Sequence, residues 1–139
     1  MKTIALFIAV FLTSFIGQAQ PKAGQSITVT INNVSSDEGK VNFALHNENT
    51  FMKLAPLQVK QSKINSGKVE VTFTEVTPGE YAILVFHDAN NNNQMDFDTN
   101  GMPQESYGMS NNPMSYGPPQ YNDSKFALGK EDIELAIRF

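Results

Sequence analysis

The chain has 139 residues, no cysteine and a formal net charge of −4, which suits one modest domain that holds together without disulfides. Between Lys68 and Lys125 there is no lysine or arginine, while Glu70, Glu75, Glu80, Asp88, Asp96, Asp98, Glu105 and Asp123 all fall there. Nucleic acid and anionic membrane surfaces are bound by clustered basic residues, so this half of the chain repels both.

Met1 and Lys2 make a short basic start, Ile4 to Phe15 is an uncharged apolar run, and Gly17-Gln18-Ala19 supplies small residues around a cleavage point. This layout is that of a secretory signal peptide, expected to span 1–19 and to be removed after Ala19. The apolar run is shorter than the roughly 20 residues that a membrane span needs. No later segment is long enough either, and no cysteine follows for lipid attachment. The expectation is an exported protein, periplasmic or extracellular, that is not an integral membrane protein once the signal is cleaved. Residues 20–25 read as a polar linker and 26–139 as the folded domain.

From there the sequence keeps the two-residue period of half-buried strands. Ile27, Val29 and Ile31 alternate with threonines and Asn32, and Val41, Phe43 and Leu45 alternate with Asn42 and Ala44. The Ser35-Ser36-Asp37-Glu38-Gly39 cluster between them is a turn signal, so the two strands are expected to form a hairpin. Asn49 to Leu54 hints at a short helix or turn. Leu57 to Ile64 is a weaker strand, and Val69, Val71 and Phe73 mark another with one wet face. Thr77-Pro78-Gly79 turns the chain into Tyr81-Ala82-Ile83-Leu84-Val85-Phe86, a continuous apolar run that fits a central strand buried on both faces. Ile133, Leu135, Ile137 and Phe139 close the chain in strand period.

About seven short strands separated by turn clusters point to an all-β antiparallel sandwich. Residues 88–124 carry little strand or helix period, and a connection of that length is uncommon inside a compact domain unless it has a function. It is expected to fold over one end of the sandwich before the last strands.

The start of that loop carries the chemistry. Counting Asp88 as position one, oxygen-bearing side chains fall at Asp88, Asn90 and Asn92, then Gln94 at seven and Asp96 at nine. A calcium loop of the EF-hand kind takes side-chain oxygens at one, three and five, a backbone carbonyl at seven, and often a water-linked ligand at nine. Position six is Asn93 rather than the usual glycine, and asparagine tolerates the left-handed backbone better than other side chains. Position twelve is Thr99 rather than glutamate, so Asp98, or Glu105 folding back, is the candidate for the missing carboxylate. A set so short of charge implies weak binding, in the roughly 0.1 to 1 mM range. The competing reading is an ordinary turn in which asparagines bond to nearby backbone without any metal.

The other chemistry-bearing residues speak against catalysis. His87 and Asp88 are strand neighbours and point to opposite faces. His46 ends an alternating strand and reads as a surface residue. Two distant histidines and no cysteine make a zinc site unsuited, and no nucleophile elbow or glycine-rich phosphate loop is present. Tyr107 and Tyr116 lie among amides and Glu105. They are expected to pin the loop, with a sugar-stacking surface as the alternative and a hydrolase a more remote one.

The stretch "TPGEYAILVFHDANNNNQMDFDTNGMPQESYGMSNN", followed by "GPPQYNDSKF", resembles the secreted bacterial proteins grouped as the domain-of-unknown-function family 2141. Its motifs fall at His87, Asp88, Asn90, Asn92 and Asp96, then Gly101, Pro103, Glu105, Tyr107 and Gly108, then Ser110 to Asn112 and Gly117 to Pro119. Asn93 departs from the family's usual glycine. The resemblance implies secretion and no established activity. The arrangement of strands, Pro-Gly turn and long loop also looks like a transthyretin or carboxypeptidase-regulatory, Ig-like sandwich, a type that serves in accessory roles. The expected function is therefore structural calcium binding by Asp88, Asn90, Asn92, Gln94 and Asp96, with Asp98 in reserve and His87, Glu105, Tyr107 and Tyr116 as support. A glycan or another extracytoplasmic protein is the expected kind of partner.

Overall fold

The computed structural model describes residues 23–139, so the expected signal peptide at 1–19 lies outside the described residues. No helix among the described residues is long and apolar enough to cross a membrane. The fold is all-β: β1 (Gln25–Ile31), β2 (Lys40–His46), β3 (Gln58–Ser62), β4 (Val69–Val76), β5 (Gly79–Asp88), β6 (Tyr107–Met109), β7 (Phe126–Leu128) and β8 (Ile133–Ala136), with one helical turn, α1 (Tyr121–Ser124). One sheet has the order β4-β1-β8, and the other β3-β2-β5-β6 with β7 also on β5.

The two-residue period decides which side chains meet. Ile27, Val29 and Ile31 of one sheet and Val41, Phe43, Leu45, Ile83 and Val85 of the other share one buried core. Each is β-branched, aromatic or leucine, the types that suit a pleated half-buried surface. On the wet face of β1, Thr28 and Thr72 hydroxyls sit 3.0 Å apart across the strand pair.

Several expectations change here. β1 and β2 do not form a hairpin: β1 pairs with β4 and β8, and β2 with β3 and β5. The turn-rich stretch between them arches from one sheet to the other, with Val34 buried and its N–H on the Gly67 carbonyl at 3.0 Å. Asp37 fastens the arch by accepting the N–H groups of Ser66 and Gly67 at 2.9 and 2.8 Å. Gly39, at φ 71°, ends it where a Cβ would collide with the Asp88 carbonyl. The sandwich is also not wholly antiparallel, because β8 lies parallel to β1.

Residues 88–124 are the third. The stretch is not structureless: β6 returns to pair with β5 through Leu84↔Met109, Val85↔Gly108 and Phe86↔Tyr107. The His87 N–H meets the Ser106 carbonyl at 2.9 Å, so 89–105 is an excursion closed at its base. Beyond β6, polar side chains rather than aromatic ones hold the chain down. Buried Ser110 accepts the Ile83 N–H at 2.9 Å and donates to the Ser124 carbonyl. Asn111 donates to the Lys125 carbonyl at 2.6 Å, and Asn112 to that of Ala136 at 2.9 Å. Tyr121 does pack edge-on against Phe51, but Tyr116 is fully exposed.

β5 is central as expected, bordered by β2 on one side and by β7 and β6 on the other. Its second face is only half covered, however. Leu84 and Phe86 on that face are partly exposed, because a loop rather than a third layer lies over them.

Candidate functional site

Asp88 is the last residue of β5 and its side chain is 0% exposed. A buried carboxylate is stable only when its oxygens are satisfied, and here the loop itself does that. One oxygen accepts the Asn92 N–H at 3.0 Å and the other the Asn93 N–H at 2.9 Å. The Asn42 amide lies at 3.5 Å and the Lys40 ammonium at 3.8 Å. The chain therefore curls around Asp88. To make that curl, Asn91 and Asn93 adopt φ of 60° and 64°, the left-handed conformation that asparagine enters more readily than other side-chain-bearing residues.

The alternate residues then face a common point. Asn90 donates to Asp96 Oδ2 at 2.7 Å, and Asn92 donates to both Asp96 oxygens at 2.9 and 3.0 Å. Their own amide oxygens accept backbone N–H groups two residues on, Asn92 at 3.1 Å and Gln94 at 2.9 Å. The side chains of positions three, five and nine are thus brought together, while position one, Asp88, holds the backbone of the same curl. Gln94 meets the group only as a donor, through its N–H to Asn92, not through the carbonyl that a position-seven residue would offer a cation.

Asp98 does not join them. It forms a turn of its own, in which its carboxylate accepts the N–H groups of Asn100 and Met102 at 2.8 and 2.9 Å. The Met102 and Asn100 N–H groups hold its carboxyl below the usual carboxylate range, with a small opposing effect of burial. Glu105 braces the loop from outside: its two oxygens take the Ala89 N–H at 3.1 Å and the Asp96 N–H at 3.2 Å, one at each end of the curl. Among the described residues no three histidine, cysteine, aspartate or glutamate side chains gather as a metal cage. A cation here would rely on two carboxylates and on amide and carbonyl oxygens, an all-oxygen set that fits a hard ion such as calcium and not zinc.

His87 and Asp88 are not an acid-base pair. His87 is buried, donates from Nε2 to the Glu38 carbonyl at 2.7 Å and stacks on Phe139. His46, expected at the surface, is buried as well. The turn after β2 folds back over it, placing Thr50 Oγ1 at 3.2 Å from Nδ1 and Phe51 edge-on to its ring. Burial pushes the His46 imidazole below its usual range, and the contact with Thr50 partly offsets this. Tyr107 is partly exposed beside Phe86 on the outer sheet face.

Sequence reasoning missed the residues that surround the loop's inner edge. Asn93 Oδ1 accepts from Lys40 at 2.5 Å and from Gln61 at 3.2 Å, and Gln61 also donates to Asn42 at 2.6 Å. Asn42 showed only as the polar residue between Val41 and Phe43, and Gln61 only as part of the weaker strand Leu57 to Ile64.

Residues 29–136 match the model of the family DUF2141, described as "Uncharacterized protein conserved in bacteria". No curated protein and no solved structure matches the chain.

Proposed function

The chain belongs to the DUF2141 family, and from that premise we propose that it is an exported, non-catalytic binding protein whose loop after the central strand takes up calcium. The observation that carries this reading is the convergence of Asn90 and Asn92 on Asp96 while Asp88 gathers the N–H groups of Asn92 and Asn93. At Asp96 the positive ends of two amide dipoles stand where a cation would stand. Rotating those amides would turn oxygen toward the same point, at the expense of the bonds they now accept from the Asn92 and Gln94 N–H groups. Asp88, Asn90, Asn92 and Asp96 would then hold the ion with the Gln94 carbonyl.

The ion would supply only fixed positive charge, drawing together the acidic stretch between Lys68 and Lys125. The engaged state of His87, tied to Glu38 and stacked on Phe139, supports a role without catalysis. Thermal melts in calcium and in chelator test the reading. At ten times its dissociation constant calcium should add about 1.4 kcal/mol, a rise of about 5 °C for a domain of this size. Asn92→Ala should raise the calcium concentration needed for that rise. Equal melting temperatures in calcium and chelator would end the proposal.

A further inference from the structure

The outer face of the five-stranded sheet is not a flat wet surface. It is the floor of an open groove of about 710 Å³, within the roughly 300 to 1,000 Å³ of small-molecule sites. Ala44, Val59, Leu84 and Phe86 form its floor, and Phe97 and Met102 of the loop overhang it. Val59, Phe97 and Met102 are each more than half exposed, at 55%, 58% and 63%, so apolar side chains on both floor and overhang are open to a ligand.

Two features define what the groove accepts. None of its lining residues is charged, although its overhang comes from the acidic stretch between Lys68 and Lys125. Lys40, which bonds to the lining residue Asn93, is engaged by it and by Asp88, so a ligand carboxylate would find no charged partner in the lining, and burying it unpaired is costly. At the end nearest the curl, however, Asn42, Gln61 and Asn93 form a chain of amides. Gln61 uses its Nε2 on both neighbours, while Gln61 Oε1 and Asn93 Nδ2 have no hydrogen bond among the described residues. Both residues line the groove and are exposed, so one acceptor and one donor are free for a ligand at this end of a mostly apolar cleft.

We infer that this groove binds an uncharged amphiphile: an alkyl or aromatic body lying along β2 and β5, with one neutral hydrogen-bonding group, a hydroxyl or an amide, at the Gln61–Asn93 end. Met95 and Met102 of the loop, which both line the groove, are unbranched and polarizable and adapt to varied apolar shapes. The inference needs no bound ion, because the floor belongs to β2, β3 and β5 and the Gln61–Asn93 contact is present in the curl as it stands.

Titration with N-phenyl-1-naphthylamine, an uncharged fluorophore that brightens in apolar surroundings, tests it. Saturable binding at one probe per chain is expected, with displacement by decanol. Decanoate at pH 8 should need at least about tenfold more, the equivalent of about 1.4 kcal/mol. Val59→Asp, on an exposed edge-strand position, should weaken the probe by about tenfold or more with an unchanged circular dichroism spectrum, and Leu84→Asn should weaken it in the same direction. No saturation, equal displacement by decanol and decanoate, or unaltered binding by both variants would overturn the inference. So would a dimer in sedimentation whose formation excludes the probe, which would assign the groove to a second copy of the chain.

Discussion

Asp88→Ala removes the acceptor around which the loop curls, and its effect separates the loop's own hydrogen bonds from any ion. In chelator the variant loses two charge-assisted bonds, from Asn92 at 3.0 Å and Asn93 at 2.9 Å. Such bonds contribute about 1.5 to 3 kcal/mol each, but both donors sit on exposed residues and regain water when released. The Lys40 contact at 3.8 Å adds little, since the ammonium is partly solvated. The lower end applies, a loss of about 2 to 3 kcal/mol in all, or a melting temperature lower by about 8 to 12 °C. Asp88→Asn keeps one carbonyl oxygen and should lose about half as much. Scanning calorimetry in chelator reads these shifts directly. If Asp88→Ala melts within about 2 °C of the parent, well below the shift expected, the curl does not depend on its carboxylate, and position one has no structural role without the ion.

Two further outcomes follow from the same geometry. Burial lowers the His46 pKa in the folded state, so the unfolded chain binds the extra proton first; this contribution to stability is present above the unfolded value near 6.5 and is lost as pH falls below it. Melting temperatures measured from pH 7.5 down to 5 should therefore fall more steeply for the parent than for His46→Gln, and parallel curves would contradict it. Glu105→Gln leaves one of the two brace points with a weaker acceptor. It should cost about 1 kcal/mol and speed hydrogen exchange at Ala89 and Asp96, with the Asn92 and Asn93 amides still protected; unchanged exchange at all four would remove the brace.

What was legible in the sequence was local. The period of Ile27-Val29-Ile31 and Val41-Phe43-Leu45 fixes which face is buried, and the spacing of Asp88, Asn90, Asn92 and Asp96 anticipates a curl because those side chains bond within six residues of one another. The pairing of strands was not legible in the same way. A buried face on β1 and another on β2 fits a hairpin as well as an arch between sheets, and only the core shared with β4, β5 and β8 decides. His46 was misplaced for a similar reason: what buries it, Phe51, lies in the turn beyond the strand. Asp98 lay one residue before the position that lacks its carboxylate, yet its own backbone turn captured it, the local competition that aspartates favour. The three-residue strands β6 and β7 are too short to show a period, and the pins made by Ser110, Asn111 and Asn112 reach partners 12 to 27 residues away.

Asn93 shows how the curl and the groove are joined. Its backbone N–H closes the turn on Asp88, while its side-chain oxygen meets Gln61 on the sheet. Glycine at this position would satisfy the φ of 64° with less strain, but would leave Gln61 without that partner. The departure from the usual loop residue thus exchanges some ease of turning for a link to the neighbouring strand. Met95, Phe97 and Met102 come from the same excursion and line the groove, so whatever orders the curl also sets the position of the overhang. If both an ion and an apolar ligand bind, their affinities are tied through this one segment. By linkage, the factor by which either tightens the other is the same in both directions.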